Sequence, residues 1–82
     1  MYYVYVLLSL INNSSYVGVT SKEVEDRLLE HNFGQNQWTR KYKPYKIVYY
    51  ESYYCRKDAL HREKFLKSGV GNKLVKLIID NF

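Results

Sequence analysis

Tyr2 to Leu8 (YYVYVLL) is an unbroken run of aromatic, β-branched and leucine residues near the start of the 82-residue chain. It carries no charge and no helix breaker, and its side chains fit a pleated, half-buried surface, so it reads as a strand. Alternation then places Tyr3, Tyr5 and Leu7 on one face and Tyr2, Val4, Val6 and Leu8 on the other. Asn12-Asn13-Ser14-Ser15 is a turn cluster, and Ser15 to Val19 (SYVGV) reads as the returning strand of a hairpin. Gly18 within that strand marks either a bulge or a place where something approaches the backbone closely. A second aromatic run, Tyr45 to Tyr54 (YKIVYYESYY), follows Pro44 and predicts a third strand.

Helical signals fill the intervals. Thr20 and Glu23 have capping-box spacing, which predicts a helix beginning at Ser21 or Lys22 and ending near Asn32 to Gly34. Val24 and Leu28 give its buried stripe, and Arg27 and His31, four apart, lie beside that stripe. Gly34 to Lys43 (GQNQWTRKYK) has no periodicity and reads as a loop. Arg56 to Lys67 predicts a second helix with Ala59, Glu63 and Leu66 on one side and His61 turned away. Ser68 to Gly71 breaks the chain, and Asn72 caps a last helix with Leu74, Leu77 and Ile78 at core spacing. The expected fold is α+β, with order β-β-α-β-α-α and a small three-stranded antiparallel sheet flanked by helices.

Charge and cysteine usage narrow the function classes. The chain has 13 Lys and Arg against 8 Asp and Glu, and the excess is local. Arg40 to Lys67 holds nine basic and three acidic residues, a net +6, interleaved with Trp38 just before it and with Tyr42 and Tyr45. That pattern fits a polyanion-binding face; the plainer alternative is a solvated basic surface. One cysteine, Cys55, excludes an internal disulfide framework and a cysteine-built zinc site, and points to a reducing, cytoplasmic setting. No apolar run approaches the roughly 20 residues of a membrane span. The expectation is a single domain over residues 1–82, monomeric or weakly dimeric through its sheet edges.

Four features remain once the core is assigned. Glu63 shares a helical face with Ala59 and Leu66, where an uncompensated charge is costly. Arg27 and His31 share one face of the first helix, Tyr5 and Tyr16 lie on strands expected to pair, and Gly18 leaves room beside Tyr16. A carboxylate beside arginine, histidine and tyrosines suits phosphodiester hydrolysis. The carboxylate holds a divalent cation, arginine binds the non-bridging oxygens, and tyrosine or histidine positions or deprotonates water. Each residue also has an ordinary explanation: Glu63 pairs with Lys67, Arg27 with Glu23 or Glu30, and most of the ten tyrosines pack.

The ordered series Tyr3-Val4-Tyr5, Tyr16-Val17-Gly18, Arg27-Leu28-Leu29-Glu30-His31 and Arg62-Glu63-Lys64-Phe65-Leu66-Lys67-Ser68-Gly69 resembles the GIY-YIG nuclease superfamily. It is most similar to small standalone members related to the nuclease module of the excision-repair incision subunit. The resemblance covers essentially the whole chain. It implies a metal-dependent DNA endonuclease, structure-selective with little sequence preference, acting in repair or recombination, with one Mg²⁺ or Mn²⁺ ion; RNA is the second candidate substrate. By that similarity, Tyr16, or a water it activates, begins the attack. His31 assists proton removal, Tyr5 orients nucleophile or phosphate, Arg27 contacts the scissile phosphate and Glu63 binds the metal. Trp38, Arg40, Lys41, Lys43, Arg56, Lys57, Lys64 and Lys67 would grip and stack on the nucleic acid. The chain departs from the family pattern at Tyr3, in place of glycine, and at Val19, where some repair-type members have lysine. It departs again at Val75, in the region where larger members carry asparagine. The reading from another class is a noncatalytic nucleic-acid-binding module on the same fold.

Overall fold

The computed structural model describes residues 1–81 and contains β1 (Tyr2–Ser9), β2 (Ser15–Thr20), α1 (Val24–Asn32), β3 (Tyr45–Tyr53), α2 (Arg56–Leu66) and α3 (Gly69–Asp80). The three strands form one antiparallel sheet in the order β2-β1-β3, so the expected α+β architecture and element order are observed. The most apolar strand, β1, lies in the centre, where both faces are covered.

Alternation along β1 divides the interior as its sequence requires. Val4 and Val6 join Val17, Val48, Ala59, Leu66 and Val75 in a cluster beneath α2 and α3. Tyr5 and Leu7 join Val24 and Tyr45 on the opposite face, beneath α1. The third strand does not alternate so simply. Val6 faces Tyr49 while Leu7 faces Ile47, which leaves Val48 as one extra residue of β3 opposite the Val6–Leu7 step. This bulge reverses the facing of β3. Tyr45 and Ile47 pack under α1, whereas Val48, Tyr49 and Tyr53 pack with the α2–α3 cluster.

Two helix starts differ from the sequence expectation. The first helix begins at Val24, because Thr20 Oγ1 accepts from the Lys22 backbone N–H at 3.0 Å and so forms a local turn. The third begins at Gly69 and is capped by Ser68, whose Oγ accepts from Gly71 N at 3.2 Å; Asn72 lies inside the helix. Leu74 packs against the core as expected, but the buried centre of the stripe is Val75, 1% exposed, and Leu77 is 58% exposed and turned away. Gly71 makes this docking possible, since a Cβ there would sit 1.9 Å from the Phe65 carbonyl oxygen.

Side-chain bonds fix the helices to the sheet. Asn32, at the end of α1, accepts from Tyr45 N at 2.7 Å and donates to Tyr45 O at 3.2 Å, completing the backbone bonding of the first residue of β3. On the other face, the Glu51 carboxylate accepts both the Nε and Nη2 of Arg62 at 3.0 Å, together with the hydroxyls of Tyr53 and Tyr49. Burial alone would raise the Glu51 carboxyl, but these bonds, Arg62 foremost, outweigh it and hold it below the ordinary carboxylate value. The bulge at Val48 turns Glu51 toward α2, and the clamp fixes the helical turn that carries Glu63.

Candidate active site

The site forms on the α1 face of the sheet, at the open edge of β2. Tyr5 faces Gly18 across the β1–β2 ladder, and Leu7 faces Tyr16, which puts the two tyrosines on one face in diagonal register. Their ring centroids are 6.4 Å apart. Gly18 forms no bulge in β2. The close approach anticipated there is made by Tyr5 itself, because a Cβ on Gly18 would lie 2.5 Å from the Tyr5 hydroxyl. Glycine lets the Tyr5 ring lie flat over its neighbouring strand.

α1 contributes Arg27 and His31, one turn apart on the face toward the sheet. His31 is wholly buried, and its Nε2 lies 2.8 Å from the Tyr5 hydroxyl while its Nδ1 lies 2.6 Å from Thr39 Oγ1. Arg27 Nε donates to the same Tyr5 hydroxyl at 3.3 Å. One proton arrangement satisfies the chain. Tyr5 accepts from Arg27 and donates to Nε2, His31 donates from Nδ1 to Thr39, and Thr39 donates to the Asn36 carbonyl at 3.5 Å. Burial, with the nearby Arg27 charge, lowers His31 from 6.5 to about 4, so the imidazole is neutral at pH 7. Burial likewise raises the Tyr5 hydroxyl to about 12, so it keeps its proton.

Arg27 is held at two points. Besides Tyr5, its Nη1 donates to Glu30 Oε1 at 2.7 Å, which leaves Nη2 with no protein partner among the described residues. Tyr16 is partly buried, with its ring centroid 5.2 Å from that of His31, and its hydroxyl accepts from Asn36 Nδ2 at 3.4 Å. On its other side the Lys67 ammonium lies 5.7 Å from the ring centroid, and Lys67 also donates to Glu63 Oε2 at 3.1 Å. Through Lys67, Glu63 of α2 reaches the tyrosine pair around the edge of β2. Its charge also acts on the Tyr5 hydroxyl, as one of the smaller influences raising it.

Tyr5, Tyr16, Arg27 and His31 are therefore one contiguous cluster, and Glu63 adjoins it through Lys67. The expected polyanion-binding residues divide. Lys67 touches Tyr16, Arg56 borders the Arg27 side of the site, and Arg40 and Lys43 lie beside Gly34, in the loop that carries Asn36 and Thr39. Trp38 is 75% exposed on that loop, and Lys41 lies over the Tyr42 ring at 5.6 Å. Lys57 and Lys64 are exposed on α2, and their side chains make no ion pair or hydrogen bond among the described residues. Val75 is core, so its position contributes packing to the α2–α3 interface and no polar group to the site.

Sequence reasoning missed Asn36 and Thr39. Their three-residue spacing is itself an N-cap pattern, and Asn36 Oδ1 accepts from the Trp38 and Thr39 backbone N–H groups. That local signal shows a structured turn in the supposedly featureless loop. It does not show that the turn closes over His31.

Among the described residues no three His, Cys, Asp or Glu side chains gather as a ready-made metal cage. Glu63 adjoins Tyr16 through Lys67, partly exposed and, among the described residues, with its carboxylate bonded to that displaceable lysine alone. This donor set fits a Mg²⁺-type cation that keeps most of its water and takes further ligands from substrate phosphate.

The small α+β fold thus brings a tyrosine pair, a two-point-held arginine and a carboxylate to one sheet edge. The model of the GIY-YIG catalytic domain matches residues 1–75, and the chain belongs to that family of nucleases. It is similar to a UPF0213 protein of Staphylococcus saprophyticus, 33% identical over 94% of this chain and 93% of the relative. A UPF0213 protein of Clostridium perfringens is 35% identical over 95% of this chain and 83% of its own length. One from Haloquadratum walsbyi is 38% identical over 82% and 74% respectively. No solved structure matches the chain. No helix among the described residues is long and apolar enough to cross a membrane.

Proposed function

We propose that the chain is a divalent-metal-dependent endonuclease that hydrolyses phosphodiester bonds in DNA, selecting strand geometry more than sequence. The observation that carries this reading is the convergence of Tyr5, Tyr16, Arg27 and His31 in one bonded cluster at an uncovered strand edge, with Glu63 adjoining.

In this mechanism Arg27 binds a non-bridging oxygen of the scissile phosphate through Nη2, with its orientation fixed in advance by Tyr5 and Glu30. Tyr16 is the hydroxyl at the open edge. It holds the attacking water, or takes its proton, while Asn36 fixes its direction and Lys67 places positive charge beside its ring. Water adds to phosphorus opposite the leaving oxygen, its proton passes to Tyr16 as Tyr16 releases its own hydroxyl proton to solvent, and the 3′ or 5′ oxygen departs with the bonding pair and is protonated from solvent. Both ring nitrogens of His31 are occupied by Tyr5 and Thr39, so His31 acts through Tyr5 as a positioning residue. Glu63 would hold the cation, which supplies charge to the phosphate and to the leaving oxygen.

The test is cleavage of end-labelled single-stranded, duplex, nicked and branched DNA, and of matching RNA, with Mg²⁺ or Mn²⁺. Wild type and Glu63→Gln are purified identically and run side by side. Metal-dependent cutting by wild type, with a loss of about 10²-fold or more in the variant, is the expected result. Salt-sensitive binding without cutting under either metal refutes catalysis and leaves a binding module.

A further inference from the structure

Arg27 faces two ways. Its Nε points into the tyrosine cluster, and its Nη1 points outward to Glu30. The outward side forms one wall of a cavity of about 360 Å³ at the end of β2, between α1 and the start of α2. Three cations from separate segments line it: Lys22 from the connection after β2, Arg27 from α1, and Arg56 from the first position of α2. Glu30 alone opposes them. Lys22 and Arg27 both pair with it, Lys22 foremost, and hold its carboxyl below the ordinary value. The Arg56 side chain has no ion pair or hydrogen bond among the described residues. The lining is thus a net +2, with Tyr2 and Leu60 supplying apolar surface.

An anionic ligand with a flat or apolar body fits this combination; an uncharged apolar one leaves Arg56 unpaired and the lining's excess positive charge unmatched. The cavity shares Arg27 with the candidate active site.

We propose that this cavity is a second nucleotide subsite, in which Arg56 and Lys22 hold the phosphate adjacent to the one bound by Arg27, and Tyr2 and Leu60 receive that nucleotide's sugar and base. The proposal rests on the phosphodiesterase reading above and names how the strand is held. Two successive phosphates are clamped by three cations, so the position of the reacting bond is fixed through the backbone. Base identity enters only through contact with Tyr2 and Leu60, in keeping with little sequence preference.

A linkage scan tests this in the intact chain. A fluorescein-labelled hairpin oligodeoxynucleotide with a short single-stranded tail, whose junction sets the register for a protein that selects strand geometry, is made as a series, each member carrying one neutral methylphosphonate linkage in the tail. Binding to wild type, Arg27→Gln and Arg56→Gln is measured by anisotropy without divalent metal over a range of salt. Arg56 is exposed, and a matching urea midpoint shows that its variant is folded. Each arginine substitution is expected to weaken binding about tenfold and to lower the slope of log K against log salt by about 0.7. The penalty of Arg27→Gln should vanish at one neutral linkage and that of Arg56→Gln at the next one along. If the Arg56 penalty is the same at every linkage, Arg56 contributes only diffuse charge and the subsite is refuted, while the Arg27 register and the nuclease reading stand. If wild type binds none of the oligonucleotides without metal, the subsite is refuted, and the nuclease reading stands or falls on the cleavage assay.

Discussion

Buried neutral His31 makes stability fall with acid in a window set by one side chain. In the unfolded chain it takes up a proton near 6.5, whereas the folded protein resists protonation until about pH 4. Between those values the unfolded state holds more protons, so unfolding becomes easier as pH drops; above 6.5 the term is fully present. At about 1.4 kcal/mol per pH unit, the gap corresponds to at most about 3 kcal/mol. A core of this size rarely supplies more than about 3–5 kcal/mol, so a loss of this order is a large fraction of the protein's stability. The assay is urea denaturation followed by circular dichroism at pH 7.5, 6.5, 5.5 and 4.5, on wild type and His31→Gln. Glutamine retains amide hydrogen bonding and does not titrate. The variant is less stable at pH 7.5, yet its stability should be much flatter through this window. Carboxylates such as Glu51 titrate in both proteins and cancel in the difference. Parallel pH profiles for the two proteins refute the buried neutral imidazole and the proton arrangement built on it.

Two further substitutions probe the scaffold of the site. Gly18→Ala puts a methyl 2.5 Å from the Tyr5 hydroxyl and 2.6 Å from its Cζ, and Tyr5, 2% exposed and bonded to Arg27 and His31, has nowhere to swing. The expected cost is about 1–3 kcal/mol in a thermal or chemical melt, with cutting reduced at temperatures where the variant remains folded. Glu51→Gln leaves the Arg62 guanidinium without its carboxylate and should lower stability by about 1–3 kcal/mol in urea. The double variant Glu51→Gln with Arg62→Met should lose less than the sum of the single losses, since the two residues form one bonded unit.

Much of the fold can be read along the chain because it depends on local chemistry. The aromatic run Tyr2 to Leu8 determines a strand and its two faces, and those faces are the ones that receive α1 and the α2–α3 pair. The spacing of Arg27 and His31 determines that they share a helical face, and the tyrosine, arginine, histidine and glutamate series carries the family resemblance. Other features depend on contacts between distant segments. Thr20 was a plausible helix cap by spacing, but a turn bond to Lys22 competes for its hydroxyl. Leu77 has core spacing on an isolated helix, yet the seating of Gly71 on the Phe65 carbonyl rotates Val75 inward instead.

The site shows the same division. Sequence alone supplies its reactive groups, because side-chain chemistry belongs to each residue wherever it lies. Only tertiary structure decides that Thr39 closes over His31, that Glu30 and Tyr5 hold Arg27 from two sides, and that the Val48 bulge turns Glu51 toward Arg62. Each of these depends on register or packing between segments far apart in the chain, where one extra residue in a strand reverses every side chain beyond it.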